Sequence, residues 1–192
     1  MGYRQIKQLQ IMRNYLIILT ILVNTFILVA QDTETPNPTY PEVTYPDIDG
    51  NQINISKLFK KKELSIVVFA IYHGGSIEQI KAITDSYDEL SKKYDLQVII
   101  IAPSNFTSPE KLKKYVSDDC IFLLDEVEKE NFKSNLKISK DVPLDRNGSA
   151  IYFPQTLFVS KDGTIPLMVG AMGQKLKEHL EELIIDFFKK IE

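Results

Sequence analysis

His73-Gly74-Gly75-Ser76 is where reactive side chains and a tight corner coincide in this chain. Leu64–Ile71 before it, LSIVVFAI, is apolar and β-branched. After it, Ile77, Ile80, Ile83, Tyr87, Leu90 and Tyr94 fall on one helical face. A strand therefore turns into a helix here, with Ser76 placed to cap it. Three chemistries fit such a corner. An imidazole and a hydroxyl three residues apart can form a nucleophilic pair, but no acidic residue is evidently placed to orient the ring. Free N–H groups at a helix start bind anions, yet no lysine follows, and a tight strand-to-helix corner needs small residues anyway. A histidine can ligate a metal, but His73 and His179 are the only two in the chain, and His179 belongs to a charged helix. No metal site and no cofactor is expected.

Cys120 is the sole cysteine. It follows Ser117-Asp118-Asp119 and opens an apolar strand, so the two carboxylates should raise its pKa and the thiol should pack as a small hydrophobe. It is a weak candidate for catalysis. Asn54-Ile55-Ser56, Asn105-Phe106-Thr107 and Asn147-Gly148-Ser149 match the glycosylation pattern, which recurs by chance in a chain rich in Asn and Ser.

The elements that must hold these residues follow from pattern. Asp49-Gly50-Asn51 is a turn between Val43–Ile48 and Gln52–Ile55, which suggests an antiparallel hairpin. Ser56 can cap a short turn through Lys57–Phe59. Buried strands are expected at Leu64–Ile71, Leu96–Ala102, Ile121–Leu124 and Gln155–Ser160. Helices are expected after Ser76, from Ser108-Pro109-Glu110 to about Val116, around Glu126–Asn135, and at the end through Leu176, Leu180, Leu183, Ile184, Phe187 and Phe188. Residues 136–150 read as an irregular connection. Lys161-Asp162-Gly163 reads as a hairpin turn into Thr164–Val169. Strand–helix–strand crossovers imply parallel strands in the middle and an antiparallel pair at the end, a three-layer α/β sandwich on a mixed sheet.

The 192 residues, 44% hydrophobic and 26% charged, suffice for one domain with a real core. Formal charge is −3, but residues 1–30 carry Arg4, Lys7 and Arg13 and no acid, so the remainder holds 20 basic against 26 acidic residues, a net of −6. A mildly acidic domain without a basic stripe is not expected to bind nucleic acid. Residues 1–30 have the layout of a secretory signal, a basic start and then the nearly uncharged run Tyr15–Ala30. That run is short against the roughly 20 residues that span a bilayer, so cleavage after Ala30 is favoured over an uncleaved membrane anchor at residues 15–30. The protein is expected in the periplasm or secreted, touching membrane only through this segment. Residues 31–46 hold Pro36, Pro38, Pro41 and Pro46, and residues 31–42 read as an exposed linker into a domain at 43–192.

This order resembles the thioredoxin-like superfamily, in particular its extracytoplasmic AhpC/TSA and TlpA/ResA branch. Three stretches carry the resemblance: DGNQINISKLFKKKELSIVVFAIYHGGS, FPQTLFVSKDGTI and VGAMGQKLKEHLEEL. It implies a cis Phe153–Pro154 bond beside the site. It also implies a groove lined by Tyr72, His73, Gly74, Gly75, Ser76, Phe153, Pro154 and Gln155 that accepts an extended polypeptide or a cell-envelope partner. Where redox members carry Cys-x-x-Cys, this chain has His73-Gly74-Gly75-Ser76. Thiol–disulfide exchange needs a thiolate, and a hydroxyl carries no electrons, so dithiol chemistry at this turn is excluded. The expectation is a redox-inactive binding or accessory module. Its alternative is a divergent thiol–disulfide oxidoreductase or peroxiredoxin-like antioxidant protein that uses Cys120 or a partner's thiol. A third reading is a structural role, with Leu176–Phe188 as an interaction face.

Overall fold

A computed structural model of the chain describes residues 37–104, 108–125 and 154–191. The predicted signal segment, the helix at 126–135, the connection at 136–150, Phe153, its peptide bond to Pro154, and the patterns at Asn105 and Asn147 lie outside those residues.

Strands β1 (Thr44–Pro46) and β2 (Gln52–Asn54) form the expected antiparallel hairpin. The Asp47 carboxylate closes its turn, accepting from the N–H groups of Asp49 and Asn51 at 2.9 and 2.8 Å. Helix α1 (Ile55–Phe59) starts two residues earlier than the sequence suggested. Its cap is Asn54, whose side chain accepts from Lys57 N–H, rather than Ser56. Asn is as good a cap as Ser, and it sits where the β2 backbone is still extended.

Five strands make the main sheet, in the order β5-β4-β3-β6-β7: β3 (Leu64–Phe69), β4 (Leu96–Pro103), β5 (Ile121–Asp125), β6 (Gln155–Ser160) and β7 (Leu167–Val169). β3, β4 and β5 are parallel, while β6 and β7 are each antiparallel to the preceding neighbour in the sheet. The central strands read as unbroken apolar runs because both faces are covered. Ile66, Val68, Val98, Ile100 and Phe158 point toward helices α2 (Gly74–Lys93) and α4 (Lys175–Ile191) and the short α3 (Pro109–Lys113). Val67, Phe69, Ile99, Ile101 and Leu157 point the other way, to Tyr40, Tyr45, Ile55, Leu58 and Phe59. Helix α4 buries Leu176, Leu180, Ile184 and Phe187, the spacing of one inward stripe. Phe188 stays half-buried and stacks on Tyr94, with ring centroids 5.9 Å apart.

Three expectations need correction. β3 ends at Phe69, two residues short of Ile71, because the chain turns toward α2 there. The strand after the last hairpin turn is confined to Leu167–Val169: Thr164 pairs instead with Thr39, and the Ile165 N–H donates to the Pro38 carbonyl at 2.7 Å. The proline-rich stretch is consequently not a free linker as far as residue 42. Tyr40 N–H donates to Gly163 O at 2.8 Å, and its ring is buried, 6.5 Å from Phe69 and nearly parallel to it. Proline removes its own donor but leaves its carbonyl and its neighbours' N–H groups available for edge pairing. Gly163, at φ +89°, makes the approach possible, since the hairpin turn needs left-handed backbone there.

Candidate functional site

The corner between β3 and α2 sits at the C-terminal end of the parallel strands. α2 begins at Gly74, two residues before the predicted Ser76 start, and its cap is His73. His73 is extended, at φ −149° and ψ 151°, and its Nδ1 accepts from the Gly75 N–H at 3.3 Å. An accepting Nδ1 carries no proton, so the ring's N–H is at Nε2. The cap occupies one of the N–H groups that an anion would need at this helix end.

Ser76 is not the cap. It is fully buried in the first turn of α2, and its Oγ accepts from the Ile71 N–H at 3.4 Å. His73 and Ser76 thus each serve backbone N–H groups, and no hydrogen bond joins them among the described contacts. A nucleophilic pair needs that bond. His179 is exposed on α4, its Nδ1 3.1 Å from Glu182 Oε2. Among the described residues no three His, Cys, Asp or Glu side chains converge as metal ligands.

The structure brings the turn and Pro154 together. A side chain begun at Gly75 would lie 3.8 Å from His73 Nδ1 and 3.9 Å from Pro154 Cδ, ordinary contact distances. Tyr72, His73 and Gly74 are exposed, Gly75 and Gln155 half-buried, and Pro154 buried. The Gln155 amide nitrogen points at the Met168 sulfur on β7.

Sequence reasoning missed Gln79. It is fully buried and locks the corner to the opposite side of the site. Its Nε2 donates to Thr156 Oγ1 at 2.8 Å and to Gly170 O at 3.4 Å. Its Oε1 accepts from the N–H groups of Met172 and Gly173 at 2.8 and 3.3 Å. One amide therefore ties α2 to β6 and to the loop entering α4. The signal was present in the spacing: Gln79 stands three after Ser76 and four before Ile83, on the buried face. Also missed was Tyr115, whose ring centroid lies 6.4 Å from that of Tyr72.

Cys120 lies elsewhere. It is 6% exposed and packed among residues facing α2 and α3. Burial pushes its thiol up to about 12, with the Asp119 carboxylate adding to the rise and Lys113 opposing it. Strand register gives the separation from Pro154. Cys120 precedes Ile121, which is level with Ile99, Val67 and Leu157; Pro154 precedes Gln155, which is level with Phe69. The two sites are three strands apart, about 14 Å, and four residue levels apart, about 13 Å.

The element order, the sheet and the helix-capped corner define a thioredoxin-like fold, and solved structures share it. One, provisionally named thiol:disulfide interchange protein DsbE, from Chlorobium tepidum, matches with TM-score 0.57 and 14% identity over 79% of this chain and 96% of that one. The thioredoxin domain of a thiol-disulfide oxidoreductase from Bacteroides vulgatus matches at 0.53 and 17%, over 78% and 98%. BsSco, a member of the Sco family of cytochrome c oxidase assembly proteins, matches at 0.54 and 18%, over 81% and 97%. No family model and no curated protein matches the sequence.

Proposed function

We propose that this chain is a thioredoxin-fold binding or accessory module of the cell envelope, which accepts an extended polypeptide beside Tyr72–Ser76 and Pro154 and exchanges no electrons with it. The observation that carries the reading is the position of Cys120. A reacting sulfur must approach within about 3–3.5 Å of its target, and the only thiol in the chain is buried and roughly 19 Å from Pro154. The thiol:disulfide interchange proteins among the fold's relatives favour the competing reading, a divergent oxidoreductase working through Cys120 or a partner's thiol. Burial of the thiol speaks against the first form of it. BsSco belongs to a family named for assembly, which supports an accessory role on this fold, while the disulfide switch identified in BsSco favours the competing reading. The extracytoplasmic location rests on the basic start and apolar run of residues 1–30.

Titration of the isotope-labelled full-length chain with a short neutral peptide of Ala, Val and Thr tests the binding site. Amide shifts should concentrate at Ile71–Gly75 and Gln155. Shifts that cluster around Cys120, or no shifts at millimolar peptide, would overturn the reading.

A further inference from the structure

Resting on that reading, we infer that the polypeptide is acidic: Tyr72, Tyr115, Lys81 and Lys111 form a basic aromatic patch beside the turn that takes an extended segment bearing carboxylates. The Lys111 ammonium lies 5.7 Å from the centre of the Tyr72 ring, and the Lys81 ammonium lies 5.2 Å from the centre of Tyr115. The two rings, 6.4 Å apart and tilted by 33°, join these pairs into one surface contributed by the turn, α2, α3 and the segment after α3. Tyr72 is 44% exposed, and both lysines are exposed.

Five lysines elsewhere on the fold are neutralised by acids, and these two are held differently. Lys62, Lys93, Lys161, Lys177 and Lys189 each have a carboxylate within 3.4 Å. Among the described residues Lys81 and Lys111 pair with rings instead. A ring face holds an ammonium in place without neutralising it, and leaves its N–H donors free for a carboxylate. Glu78, the acid nearest in sequence to the start of α2, is directed at Gly173 on the other side, where a Cβ would meet its Oε2 at 3.0 Å. The patch is thus a local positive site on a chain of net negative charge.

Geometry fits one occupant across both features. Pro154 abuts the turn on the β6 side and α3 packs over β4, so along the sheet the two are offset by two strand spacings, about 10 Å. Three residues of extended chain cover that offset along the sheet. A segment with its backbone beside Pro154 places its next side chains over the Tyr rings and between the lysines.

The test is fluorescence anisotropy on the full-length chain with three labelled ten-residue peptides, alternating Val with Glu, Gln or Lys. The Glu peptide should bind about three- to tenfold more tightly than the Gln peptide, and the Lys peptide more weakly than both. The double variant Lys81→Gln/Lys111→Gln should remove the Glu advantage, so that the Glu and Gln peptides bind alike. Both positions are exposed, and circular dichroism of the variant checks its fold. Equal binding of Glu and Gln peptides overturns the acidic preference but leaves the groove standing. A Glu advantage that survives the double variant removes the patch as the partner's site. Absence of binding by all three overturns both the patch and the groove.

Discussion

The β3–α2 corner and the Cys120 region are mirror images in chemical terms. The corner lies at a helix start, where a thiol would be activated, and it carries an exposed imidazole and a buried hydroxyl. Cys120 carries the sulfur, but burial and Asp119 hold it protonated. The fold supplies the position and the sequence supplies the atom, and in this chain the two do not coincide. Position matters because the field at a helix N-terminus and access to solvent are properties of the backbone path, whereas reactivity requires the side chain to sit in that field.

Exchanging the atoms between the two places breaks the comparison most sharply. The double variant His73→Cys/Cys120→Ala has one thiol, as the wild type does. At neutral pH its alkylation by iodoacetamide, followed by mass spectrometry, should be about a thousandfold faster than that of wild-type Cys120. Rates within tenfold of each other would mean that the corner does not activate a thiol.

A second prediction concerns what holds the corner open. Gln79→Leu strips partners from the Thr156 hydroxyl and from the N–H groups of Met172 and Gly173. Urea denaturation should show a loss of about 3 kcal/mol, since each buried polar group left unpaired costs about 1–3 kcal/mol. A loss under about 0.5 kcal/mol would mean that the loop before α4 repacks freely.

The smallest effect is on the Cys120 side. Its folded pKa of about 12 lies above the ordinary thiol value. The stability gained by burying the neutral thiol is therefore complete below about pH 8.5, where the unfolded thiol titrates, and is lost as pH rises toward 12. Tyr40 and Tyr45, buried and also raised, act in the same direction at higher pH. Cys120→Ala should flatten the fall in urea midpoint between pH 8.5 and 10.5 relative to wild type, leaving the tyrosine contribution. Equal slopes would show that the thiol is not held neutral by the fold.

Most of the fold was legible in the sequence because burial on both faces leaves a plain mark. LSIVVF and LQVIIIAP are nearly unbroken apolar runs, QTLFVS carries one at its centre, and each is a central strand. Caps were harder. Asn54 and His73 took the roles expected of Ser56 and Ser76, because a cap depends on which residue's backbone stays extended, and two candidates close together look alike on paper. Tyr40 was hidden among prolines, whose usual message is exposure, while its ring found a place against Phe59 and Phe69. The turn and Pro154 could be paired from the resemblance. The Tyr72–Tyr115 contact joins residues 43 positions apart through packing that no local pattern records.

The central claim is that this fold has kept a binding corner without electron exchange. Its most direct test is reduction of insulin disulfides and of hydrogen peroxide by the full-length chain, beside Cys120→Ser. The account predicts no turnover above the uncatalysed rate for either protein. Turnover by the wild type that disappears in Cys120→Ser would contradict it and make Cys120 the working thiol of an enzyme.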